Sequence, residues 1–195
     1  MKSNICRIEK GAKSLEMIFR ESEKVAVYNE LNPKQTLQLR LLCEELANML
    51  PSIVSNFSGD FWIENEGNAY ELCVSVSVEN MDIATRERLI GVSKNNKNSS
   101  VVGITGKIRA VFDYMTMGSN DVVVSPEGRY GFTANFDYHR LWSLQQYRDY
   151  VEGDPQKKPE VWDEFEKSII AKVSDDVIVG IKGNNVDMII KKTFQ

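Results

Sequence analysis

The sequence predicts an α+β fold, a two-layer sandwich with helices on one face of a mostly antiparallel mixed sheet, followed by a C-terminal helix and hairpin extension. Three stretches carry that expectation. In residues 37–50, Leu39, Leu42, Leu46 and Met49 return at the three- and four-residue steps of one helical face. In residues 69–78, Leu72, Val74, Val76 and Val78 alternate with Glu71, Cys73, Ser75 and Ser77, the pattern of a strand buried on one side and polar on the other. Near the end, two apolar runs at residues 177–181 and 186–190 flank Lys182-Gly-Asn-Asn185, which reads as a hairpin.

The remaining elements follow in chain order. Residues 4–8 are expected as a short strand, and residues 12–28 carry Leu15, Ile18 and Phe19 at helical spacing as far as about Glu23. The next helix has an explicit start: Asn32 as N-cap, Pro33 at the first helical position and Gln35 three residues after the cap. Pro51 is expected to end it. Residues 51–58 read as a helical remnant running into a turn at Ser58-Gly59-Asp60, and residues 61–78 as two strands joined at Glu66-Gly67-Asn68. Residues 83–90 are helical in composition and 93–100 form a polar loop. Ile108, Val111, Phe112 and Met115 suit a helix that starts near Gly103 to Gly106, and residues 122–136 suit a hairpin. Beyond Asp137, Leu141, Trp142, Leu144, Tyr147 and Val151 fit a helix, 153–159 a linker, and 161–173 a further amphipathic helix. The expected organisation is a helix-on-sheet domain at 1–136 and an extension at 137–195.

Bulk properties narrow the function. At 195 residues the chain can bury one sizeable core. A net charge of −4 and a pI near 5.2, with Lys and Arg dispersed, argue against nucleic acid as the main ligand. Cys6, Cys43 and Cys73 lie in apolar or alternating segments without CxxC spacing, so reduced structural thiols are expected rather than disulfides or a zinc site. His139, the only histidine, cannot build a metal site alone. With no signal-like apolar start and no apolar run near the ~20 residues of a membrane span, a cytoplasmic protein is expected, without membrane partners.

One pair of residues exceeds what packing needs. Glu44 and Asn48 stand four apart on the 37–50 helix, beside the apolar stripe. A carboxylate one turn before a carboxamide can act as base and metal ligand; it can equally be a solvated polar edge. Trp142, Tyr147, Tyr150 and Trp162 concentrate aromatics after residue 137, for core packing or for a partner surface.

Taken together, residues 1–136 resemble the histidine-kinase-like ATPases, specifically the small bacterial anti-sigma-factor serine kinases. The resemblance rests on Asn32-Pro33 leading into Glu44-Glu-Leu-Ala-Asn48, two strands, the polar loop at 93–100, Gly103-Ile-Thr105-Gly106-Lys107 at a helix start, and Asp121-Val-Val-Val-Ser-Pro-Glu-Gly128 as a closing hairpin. It implies ATP and Mg²⁺ as cofactors, Glu44 as catalytic base, Asn48 as magnesium ligand, and Gly103, Thr105, Gly106 and Lys107 about the phosphates. Where the family reads adenine with Asp-x-Gly-x-Gly, this chain has Val78-Glu-Asn-Met-Asp-Ile83, and no glycine lies between Gly67 and Gly91. Asn80 or Asp82 would stand in for the adenine-reading aspartate with altered geometry. The resemblance therefore implies a regulatory protein that binds a protein partner, a sigma factor or an anti-anti-sigma-like protein, through a fold whose nucleotide site is degenerate. Its alternative is an active ATP-dependent serine kinase or ATPase. Dimerisation is also implied, with the strand at 186–190 offering an edge.

Overall fold

The computed structural model describes residues 1–53, 56–78, 140–152, 168–182 and 185–195. Their elements are β1 (Cys6–Glu9), α1 (Ala12–Tyr28), α2 (Pro33–Ile53), β2 (Phe57–Glu66), β3 (Ala69–Val78), β4 (Arg140–Ser143), α3 (Leu144–Glu152), α4 (Ile169–Val173), β5 (Asp176–Lys182) and β6 (Asn185–Thr193). The strands lie in the order β1-β2-β3-β6-β5-β4, and each neighbouring pair is antiparallel. A mixed sheet is thus not seen among the described strands. The α+β architecture is as expected, with helices packed on the apolar side of the sheet.

The helix starts follow local chemistry. Asn32 Oδ1 accepts from the backbone N–H of Lys34 and of Gln35, both at 3.0 Å, and Gln35 Oε1 accepts from Asn32 N–H at 3.0 Å. This reciprocal cap satisfies donors that a helix start leaves free. The helix then runs through Pro51 to Ile53, two residues past its expected end. In the last turn a proline removes only one backbone donor, and the buried Met49 and Leu50 hold the turn against the core. Helix α1 likewise continues past Glu23, because Val25 and Ala26 are buried and packing outweighs the weak helical preference of valine.

Three further expectations are corrected. Residues 57–60 are strand, not turn, and Gly59 is there because β3 passes too close for a side chain: a Cβ would meet the Ser75 carbonyl oxygen at 2.1 Å. Leu141 and Trp142 sit on β4, opposite Gly180 and Val179, and the helix begins only at Leu144. Ser168 is extended and caps α4 through Ala171 N–H, so the segment 169–173 is a helix with its own start.

The C-terminal hairpin is not peripheral to the sheet. β6 pairs with β3 from Ala69↔Thr193 to Ser77↔Asn185 and with β5 on its other side. Both of its edges are occupied, so it offers none to a second chain. Residues after 137 therefore supply three strands to the sheet, and Leu144, Ile170, Val177, Val179, Met188 and Ile190 join one apolar cluster with Ile18, Leu42 and Leu46. The opposite sheet face is less polar than the alternation suggested. Trp62, Cys73, Ile189 and Ile178 form one cross-strand row, in which Cys73 and Ile178 are buried. Cys6, Cys43 and Cys73 are free, buried thiols, as expected. Among the described residues no helix is long and apolar enough to cross a membrane.

Candidate functional site

Helix α2 presents Leu39, Leu42, Cys43, Leu46, Met49 and Leu50 to the core, and this fixes the direction of every other residue on it. Glu44 and Asn48 fall on the exposed side. Neither side chain takes a hydrogen bond or ion pair among the described residues. Glu45, on the flank, is half-buried; burial, and secondarily the neighbouring Glu44 carboxylate, pushes its carboxyl group above the ordinary range. The arrangement is an open carboxylate and an open carboxamide one turn apart on a helix whose other side is fixed in apolar packing.

Asn48 also borders a cavity of about 250 Å³ between β1, the start of α1, the end of α2 and the start of β2. Ile8, Leu15, Ile18, Leu50 and Phe57 form its apolar walls, and Glu9, Lys10, Ser14 and Asn48 supply its polar groups. Ser14 is 8 % exposed. Its Oγ accepts from Glu9 N–H at 2.8 Å. Its own proton reaches no acceptor among the described residues, whereas the hydroxyls of Ser22 and Ser174 donate to the carbonyls of Phe19 and Ile170.

One turned pair on α1 was not anticipated from sequence. Seven residues after Ser14, on the same helical face, Glu21 accepts from Asn4 N–H and Asn4 Nδ2, both at 3.0 Å, and from Lys24 Nζ at 2.9 Å. Burial pushes Glu21 up, but the Lys24 ammonium and the Asn4 donors outweigh it and hold the carboxyl below its usual range. Ser14 and Glu21 thereby bind the N-terminal strand at Glu9 and Asn4. Two polar residues at an i, i+7 spacing on the helical face that carries Ile18, Ser22 and Val25 are the signal that would have found them.

The other proposed site residues, Asn80, Asp82, Gly103, Thr105, Gly106 and Lys107, lie outside the described residues, as do His139, Trp162 and the hairpin expected at 122–136. Asn48 and Glu44 are thus not placed relative to them. Among the described residues no group of three His, Cys, Asp or Glu side chains could hold a metal. One exposed carboxamide fits only a metal such as magnesium that retains most of its waters. Comparison with family models, characterised proteins and solved structures found no match for this chain.

Proposed function

We propose that the chain is a regulatory protein of histidine-kinase-like ATPase fold, similar to the bacterial anti-sigma factors, which binds a protein partner and whose nucleotide site is degenerate. The observation that carries this reading is the exposed Glu44 and Asn48 pair, held one turn apart on α2 and used by nothing in the core. The element order supports it as well: β1, α1, a capped helix bearing Glu-x-x-x-Asn, then two strands, with a final hairpin beside β3. A bound magnesium nucleotide would supply the phosphoryl group and its charge neutralisation. In that case Asn48 would help to hold the metal through its carboxamide oxygen and Glu44 would orient the attacking hydroxyl or water. Residues 78–83 carry none of the glycines with which the family turns past the base, which is why the pair is read as a retained framework.

Isothermal titration of the full chain with ATP and magnesium tests this. No saturable heat at micromolar nucleotide is expected. Micromolar binding that disappears in Asn48→Ala overturns the degenerate site in favour of an active ATPase or serine kinase.

A further inference from the structure

The cavity beside Asn48 has a composition that a phosphate site lacks. Its walls are apolar on every element that contributes to it, with Ile8 from β1, Leu15 and Ile18 from α1, Leu50 from α2 and Phe57 from β2. Ile8, Ile18 and Leu50 are almost fully buried, so the walls are held by the core and the cavity is preformed. At about 250 Å³ it exceeds the ~150 Å³ in which a buried apolar cavity holds a benzene-sized molecule.

Polar groups share the lining with the apolar walls. Ser14 has a hydroxyl proton to give, Asn48 has an unengaged carboxamide, and Lys10 brings a cation. All three can address an oxygen acceptor. Glu9 lines the same cavity, and its carboxylate disfavours a ligand bearing several negative charges. A polyphosphate is selected against on this ground, while one carboxylate paired with Lys10 is tolerated.

We infer that this cavity binds a medium-chain monocarboxylate, its apolar body among Ile8, Leu15, Ile18 and Leu50 and its carboxylate oxygens at Ser14 Oγ and Asn48 Nδ2. The site does not depend on the nucleotide reading, because its ligand carries neither phosphate nor metal. Apolar burial supplies the affinity and the two donors set the orientation.

Methyl-detected NMR titration of the full chain with octanoate is the test, with 1-octanol as the control that keeps the chain and removes the carboxylate. Saturable shifts confined to the methyls of Ile8, Leu15, Ile18 and Leu50 are expected, with 1-octanol weaker by about tenfold. Ala47→Leu, which fills the cavity from α2, is expected to weaken octanoate at least about tenfold; Asn48→Ala, at an exposed position that leaves folding intact, weakens it several-fold. Absence of shifts up to the solubility of octanoate, shifts spread over the surface, or unchanged affinity in Asn48→Ala overturns the site as drawn. Equal binding of 1-octanol overturns its assignment to a carboxylate.

Discussion

The two long helices lie side by side over one core but place their polar groups differently. On α1 the polar residues of the inner face serve structure: Ser14 accepts from Glu9 N–H while keeping its own proton, Glu21 accepts from Asn4, and Ser22 returns its proton to Phe19. On α2 the inner face is wholly apolar, and the polar pair Glu44 and Asn48 points outward with nothing attached. A buried carboxylate is tolerated only where donors surround it, so Glu21 is legible as structural from its partners alone. A carboxylate and a carboxamide left open cost nothing to keep and are free for a ligand.

The contrast is sharpened first on α2 itself. Leu46 is completely buried between Glu44 and Asn48 in sequence. Leu46→Ala is expected to cost about 3–4 kcal/mol in urea unfolding, from lost burial and the cavity left behind. A cost under about 1 kcal/mol would mean that α2 is not seated as described.

At the far end of the sheet a second buried carboxylate is fully enclosed. Asp176 accepts from Ser143 Oγ at 3.0 and 3.1 Å, from Gln145 N–H at 3.0 Å and from Val177 N–H at 2.8 Å, tying the first turn of α3 to β5. Asp176→Ala strands these donors and is expected to cost about 3 kcal/mol in the same assay.

Glu21 should show a smaller and pH-dependent effect. Its folded carboxyl titrates below the ordinary value, so the stability it contributes is fully present above the unfolded-state pKa and is lost as the pH falls through the lower folded value. Glu21→Gln is expected to cost about 1–2 kcal/mol at neutral pH. Unfolding midpoints for the variant and the parent should converge once the pH has fallen below the folded value. Parallel midpoints across that range would contradict the role of the carboxylate charge.

Much of this fold is written locally. The start of α2 could be read because Asn32, Pro33 and Gln35 act on one another within four residues, and the two hairpins because their turns separate clear alternations. What could not be read depends on distant chain. The alternation of β6 is the same whether it pairs on one side or two, so its place beside β3 was invisible and the hairpin looked like an appendage. Gly59 signalled a turn, because the close passage of β3 is set only by the sheet. Of the site, Glu44 and Asn48 were legible from helical spacing. The cavity was not, since Ile8, Ile18, Leu50 and Phe57 come from four elements and each reads in sequence as ordinary core.

On the outward side of α2, Arg40 pairs with Glu23 and lies over the Phe19 ring of α1, whereas Glu44 and Asn48 hold no other element and so are available to a ligand or partner. The double variant Glu44→Ala, Asn48→Ala measures this directly by urea unfolding. A change within about 0.5 kcal/mol of the parent is predicted, as for open surface positions. A loss above about 2 kcal/mol would show that the pair is tied into the fold and contradict the account.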